Sequence, residues 1–220
     1  MPQFPRLEHM EQYQGLKFSN SRRATTLPDD PRLARLNHWA WVFAQLGLAP
    51  SHSGGAYGNQ SCRTGPESFL ITRAGMQPAE EFQPENYCHV VSFSEEQSCF
   101  ITEGVHPPSS ESYLHYRLYQ ALPAITAILH GHCPPLNDYA GQLAIPVTPC
   151  FQPYGTRELA EDALALVKAS GSPFFILCQH GFVALGEDID SAGHLALDSL
   201  VRLIRMLKDS SPFSSTPGKL

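Results

Sequence analysis

Short β-like runs alternate with amphipathic stretches along most of the chain, and this alternation constrains the fold more than any other feature of the sequence. SFLIT closes at Thr72, CHVVSF and SCFIT follow with SEEQ between them, and AITAILHGH and PFFILCQHGFVALG come later. Each run is a few residues long and bounded by polar, Gly or Pro residues, the punctuation of buried strands. CHVVSF and SCFIT read as a hairpin, PFFILCQHGFVALG as two short strands around His180 and Gly181, and LAIPVTPC as a further strand. The helical stretches have their own signals. LPDDPRLARLNHWAWVFAQLG predicts a helix with Asp29 or Asp30 as cap, Pro31 in the first turn and Gly47 at the end. In it, Leu33, Leu36, Trp39 or Ala40, and Phe43 recur at helical spacing and make one apolar face. A short helix is expected from Ser110 to Ala121, an amphipathic one over TRELAEDALALVKAS ended by Gly171, and the longest over DIDSAGHLALDSLVRLIRMLKD, capped by Asp188 or Asp190. Interleaved elements without repeats or a linker predict one α/β domain over residues 29–210. An arm of little periodicity, 1–28, precedes it, and a Ser- and Pro-rich tail, 211–220, is expected to fray.

Composition narrows the function. The 220 residues carry 15 Lys and Arg against 21 Asp and Glu, a net charge of -6, which argues against nucleic acid as a partner because phosphate neutralisation needs clustered bases. No apolar stretch approaches the roughly 20 residues that cross a bilayer, and the N-terminus lacks the apolar core of a signal peptide. The six cysteines are scattered, with no CxxC pair, and read as reduced thiols of a cytoplasmic protein. Composition thus argues against secretion, membrane spanning and the coating of nucleic acid.

Two features carry chemistry. His130 and His132 stand two apart at the end of an expected strand, where side chains at i and i+2 share a face. Two neutral imidazoles so placed suit one divalent ion, zinc best of all, and His180 is the best candidate for a third ligand. Three protein ligands leave a coordination position open for substrate, the catalytic rather than the structural arrangement. Cys133, next to His132, is the alternative fourth ligand of a closed structural site. The second feature is PPSSE, at a helix start. Ser109, Ser110 and the free N–H groups there make an anion site, and they equally make a plain cap. Glu111 follows in the first turn, and His115, four residues on, either supports it or packs.

YGNQSCR, SFLITRAG, PPSSESYLHYRLY, AITAILHGH, PYGTRELAEDALALV and LCQHGFVALG, in that order, resemble the class II aldolase/adducin family, nearest its fuculose-phosphate and ribulose-phosphate branch. The resemblance implies a three-layer α/β/α domain around a mostly antiparallel sheet, assembled as a homotetramer with active sites between subunits. It implies that His130, His132 and His180 bind zinc, that Glu111 is the catalytic carboxylate, and that Asn59, Thr72, Gly75, Ser109 and Ser110 hold a substrate phosphate. The implied reaction is aldol cleavage of a keto-sugar phosphate or related hydroxy-carbonyl compound through a metal-stabilised enediolate. Dehydration, decarboxylation or epimerisation at the same metal, and a non-catalytic adducin-like interaction domain, are the alternatives. The sequence departs from the family in three places, the short C-terminus being one. The segment from His132 to Gly155 is short, with Tyr139 the only tyrosine before Tyr154. In LITRAG, Arg73 and Ala74 stand where the family has Pro and a small hydroxyl residue, so Arg73 is either a contact for phosphate or carboxylate or an exposed loop residue.

Overall fold

A computed structural model describes residues 15–209; the 211–220 tail expectation and the first half of the arm lie outside the described residues. In chain order the elements are β1 (Ser19–Ala24), α1 (Arg32–Gln45), β2 (Ser51–His52), β3 (Gly55–Ala56), β4 (Asn59–Arg63), β5 (Phe69–Thr72), β6 (Tyr87–Ser94), β7 (Cys99–Glu103), α2 (Ser112–Ala121), β8 (Ala127–Gly131), α3 (Pro134–Asp138), α4 (Arg157–Ser170), β9 (Phe174–Ile176), β10 (Phe182–Gly186) and α5 (Ile189–Asp209). Eight strands form one sheet in the order β1-β7-β6-β5-β4-β8-β10-β9, while β2 and β3 make a separate two-residue hairpin. Every pair in the large sheet is antiparallel except β1 with β7.

Alternation of side chains sorts the strands between two cores. Leu70, Ala127, Leu129, Phe182 and Ala184 face one side, where Leu36, Trp39 and Phe43 of α1 and Ala192, Ala196 and Leu203 of α5 cover them. Their neighbours Phe69, Ile71, Ile128, Val183 and Leu185 face the other, under Leu114 and Leu118 of α2 and Ala163 and Leu164 of α4. Helices therefore cover both faces of the sheet, giving the three-layer α/β/α architecture expected. A fully buried Leu36 or Phe43 contributes about 1.5–3 kcal/mol by leaving water.

Local chemistry explains the helix ends. At α1 the N-cap position falls on Pro31, which has no side-chain acceptor, rather than on Asp29 or Asp30; the Asp30 carboxylate just ahead accepts the Arg32 N–H at 2.9 Å. At α5, Asp188 accepts the Ser191 N–H at 2.6 Å while the Ser191 hydroxyl accepts the Asp188 N–H at 3.1 Å, a reciprocal capping box. Asp190 is used elsewhere: it binds Arg35 at 2.5 Å and accepts from Trp39 Nε1 at 2.7 Å, pinning α5 to α1.

Three sequence expectations change, and one strand forms where the sequence reading named no element. The arm is not wholly irregular, because Ser19–Ala24 joins the sheet edge beside β7. The Gly-rich stretch after Gly54 contains β4, a central strand whose residues Asn59, Gln60 and Ser61 are buried although polar. LAIPVTPC forms no strand; Val147 makes one isolated bridge to Ile176, and Pro146 and Pro149 remove the donors that a longer ladder needs. Finally, α2 starts at Ser112, with Glu111 as its N-cap rather than a residue of its first turn.

Candidate metal centre and active-site cleft

The placement of the candidate ligand histidines follows from strand register. In β8, Ala127 and Leu129 enter the α1/α5 core, so His130 shares the opposite face with Ile128 and looks toward α2. His132 lies just past the strand end, held by its N–H to the Leu48 carbonyl at 2.8 Å. His180 sits in the turn between β9 and β10. Gly181 beside it is required by space: a Cβ there would stand 2.3 Å from the Gly131 carbonyl oxygen and 2.9 Å from the His130 ring. From the helical layer, the α2 N-cap supplies Glu111.

These four side chains converge. His130 Nε2 is 3.0 Å from His132 Nε2 and 3.0 Å from Glu111 Oε2, and His180 Nε2 is 3.0 Å from Glu111 Oε1. One ligand atom from each lies within 4.8 Å of every other. Hydrogen bonding fixes His130: its Nδ1 contacts the Phe182 carbonyl at 2.7 Å and must donate to it. In the neutral ring the proton is then on Nδ1, and Nε2 presents a lone pair to the carboxylate and to His132. Glu111 Oε1 and both ring nitrogens of His180 are buried without a hydrogen bond, as is His132 Nδ1. Buried acceptors aimed at one another need a cation between them. Three imidazole nitrogens and a carboxylate oxygen are the donor set of a borderline divalent ion, so the residues fit a metal.

The electrostatics agree. Burial acts to raise the Glu111 carboxyl, but the imidazoles of His130 and His180 outweigh it and hold the acid well below the usual carboxylate range. For His130, burial acts to lower the ring, and the Glu111 charge overrides it and raises it. Burial, then His180 and His130, drive His132 well below its ordinary value. The site thus favours one positive charge between Glu111 and His130, the place a metal ion would take. Asn59 steadies the carboxylate, donating from Nδ2 to Glu111 Oε2 at 2.8 Å.

A cleft of about 630 Å³, counting its open mouth, leads to this centre. Asn59, Arg73, Gly75, Ser109, Ser110 and Glu111 are all on its wall. Thr72 is not. It is 1% exposed, its hydroxyl accepts the Gln60 N–H at 3.2 Å, and its carbonyl accepts the Ser109 N–H at 3.0 Å. Thr72 therefore shapes the wall from behind. Arg73 is a brace: Nη1 donates to the carbonyls of Ala74 and Gly75 at 2.9 and 3.1 Å, and Nε to Asn86 Oδ1 at 3.2 Å. Ser109 Oγ faces the Glu111 N–H at 3.4 Å. Among the described residues no protein acceptor takes the N–H of Ser110 or Gly75, so the cleft keeps free donors.

Cys133 caps α3 and packs in the α1/α5 core, outside the ligand cluster, so the closed structural site does not form. Tyr139 packs against the same core. The sequence reading missed an aromatic wall: the Tyr57 ring stacks on His132 at 5.1 Å and 28°, and His52 lies against Tyr57 at 4.5 Å. It also missed Tyr154, which lines the cleft from the segment before α4. Only the glycines around Tyr57 in GAYGN hinted at a backbone brought close to something. His115 packs behind the site, its Nδ1 2.7 Å from Ser61 Oγ, which is also 2.7 Å from the Tyr119 hydroxyl.

The fold and the cleft together are those of an aldolase-type enzyme. A family model described as the class II aldolase and adducin N-terminal domain matches residues 38–206, and the chain belongs to that family. It is 29% identical over 161 residues to a 5-methylthioribulose-1-phosphate/5-deoxyribulose-1-phosphate aldolase of Rhodospirillum rubrum, covering 66% of this chain and 67% of that one. Identity to an L-fuculose phosphate aldolase of Haemophilus influenzae is 28% over 158 residues, 64% of this chain and 68% of the relative. Among solved structures, the L-fuculose-1-phosphate aldolase of Thermus thermophilus shares the fold, with a TM-score of 0.64 at 21% identity over 86% of this chain and all 100% of that one.

Proposed function

We propose that the protein is a zinc-dependent lyase that cleaves a keto-sugar phosphate by aldol chemistry. The observation that carries the proposal is the convergence of His130, His132, His180 and Glu111 with lone pairs facing one another. His130, His132 and His180 would hold the ion, and a zinc ion held there supplies Lewis acidity toward a substrate carbonyl. Glu111 moves the proton at the neighbouring carbon, a general acid/base role worth about 10²–10⁴-fold. Asn59 orients that carboxylate. Ser109, Ser110 and the Gly75 backbone accept the phosphate at the start of α2, where free N–H groups and the helix dipole favour an anion. Binding energy at the phosphate then holds the reacting carbon against Glu111. The names of the Rhodospirillum and Haemophilus relatives, both sugar-phosphate aldolases, support this substrate class.

The same reading makes the enzyme a cytoplasmic homotetramer. All six cysteines are unpaired, as in a reducing compartment, and Val201 and Ile204 on α5 expose apolar surface that further copies would cover. The test is metal content of the wild type and His130→Ala, purified without chelator, followed by cleavage assays on keto-sugar phosphates with Glu111→Gln. We expect near one zinc per chain in the wild type, far less in His130→Ala, and cleavage lost in Glu111→Gln. No metal in the wild type and none taken up on addition refutes the lyase.

A further inference from the structure

We infer that Lys17, on the segment leading into β1, is a substrate-binding residue that brings a positive charge to the phosphate end of the cleft. The inference rests on the reading of Ser110 and Gly75 as a phosphate site. Three contacts fold this segment onto the cleft wall. Tyr154 lines the cleft, and its hydroxyl donates to the Gly15 carbonyl at 3.1 Å. Lys17 Nζ lies over the Tyr154 ring, 5.0 Å from its centroid. Gly155, in a left-handed conformation at φ 68°, is sandwiched between the Lys17 stem and Ser110: a Cβ on it would stand 3.2 Å from Lys17 Cγ and 2.6 Å from the Ser110 carbonyl oxygen.

The base of the segment is fixed. Phe18 packs edge-on against Phe100 at 4.6 Å, the Ser19 N–H donates to the Ser98 carbonyl at 3.0 Å, and β1 then pairs with β7. Lys17 therefore stands two residues ahead of an anchored strand end, beside the wall that carries Ser110.

Charge points the same way. The Arg73 guanidinium already bonds three acceptors of its own loop. Lys17 has no carboxylate within ion-pair distance among the described residues; its ammonium rests on the Tyr154 face. A ring face holds an ammonium weakly in water, and the four-carbon stem lets it turn to a stronger anion. The Ser110 N–H, with no protein acceptor, offers the neutral half of the same cradle. A phosphate there would take neutral donors from the start of α2 and charge from Lys17.

The experiment uses the full-length, metal-loaded protein and titration calorimetry with dihydroxyacetone phosphate and with dihydroxyacetone, on the wild type, Lys17→Met and Lys17→Arg. Lys17→Met keeps the stem over Gly155 and removes the charge. It should weaken the phosphorylated ligand about tenfold at low salt, leave dihydroxyacetone unchanged, and converge on the wild type as salt rises. Lys17→Arg should restore most of the loss. Wild-type affinity for dihydroxyacetone phosphate in Lys17→Met, or equal weakening of both ligands, overturns the inference, the latter by showing a purely structural role. A wild type that does not distinguish the two ligands overturns the phosphate reading itself, and the role of Lys17 with it.

Discussion

The buried His115 makes the stability of the fold depend on pH in a way that one substitution isolates. Its side chain is fully enclosed on α2, with Ser61 as its hydrogen-bonding neighbour, and burial pushes its pKa from 6.5 down to about 3. The folded protein keeps this ring neutral, while the unfolded chain protonates it below its ordinary value. The unfolded state therefore binds more protons between those two values, and stability falls as pH falls through 6.5. At about pH 5 the unfolded state gains about 2 kcal/mol from this group alone, since each pKa unit is worth about 1.4 kcal/mol. His115→Asn retains a polar group for Ser61 but nothing that titrates; the smaller side chain leaves a partial cavity that costs about 1–2 kcal/mol at neutral pH. Urea unfolding followed by tryptophan fluorescence (Trp39 and Trp41), on both metal-loaded proteins across this range, gives the difference directly. All other groups are common to the two proteins and cancel in the difference. The wild type should be the more stable above neutrality, and its advantage should shrink to nothing or reverse by about pH 5. A difference that stays constant with pH would refute a neutral, buried His115.

Other outcomes follow from single contacts. Thr72→Val leaves the Gln60 N–H without its acceptor and should cost about 1–3 kcal/mol by thermal unfolding, with KM for a phosphorylated substrate unchanged, because Thr72 stands behind the cleft wall. Gly181→Ala forces a methyl group into the Gly131 carbonyl and the His130 ring, so metal content by elemental analysis should drop along with stability. Chelation of the metal should lower the unfolding free energy by about 2.7 kcal/mol relative to protein held at a hundredfold excess of metal over its dissociation constant, read as a shift in Tm.

How much of this was legible depends on whether burial and hydrophobicity coincide. At β8 they do: AITAILHGH shows a buried strand, and its period-2 pattern by itself puts His130 and His132 on one face. PPSSE announced a helix start, and Glu111 does sit at one. At β4 they part. Asn59, Gln60 and Ser61 are buried because their side chains serve Glu111, the His130 carbonyl of β8 and His115, so a central strand looks like a loop. The strand of the arm was equally hidden, because Ser19–Ala24 lies at the sheet edge with mostly exposed side chains. LAIPVTPC erred in the opposite direction, being apolar enough for a strand but broken by its prolines. Arg73 was legible as a departure, yet the sequence gives no sign that its guanidinium would turn back on its own loop. The contacts of Tyr57 and Tyr154 join segments far apart in the chain, and no local pattern reports those.

The position of β8 sets which parts of this protein can change length. It is ladder-bonded on both sides, to β4 with Asn59 opposite His130 and to β10 with Val183 opposite His130. Adding or removing one residue there would turn the metal-facing row to the other face against two neighbours at once. The stretch from Tyr139 to Thr156 has no such partners beyond one bridge, yet it supplies Tyr154 to the cleft. Insertions there would reshape the substrate wall while leaving the ligand row in register. Length changes in that stretch would thus alter which substrates fit while leaving the His130 and His132 row where β8 puts it.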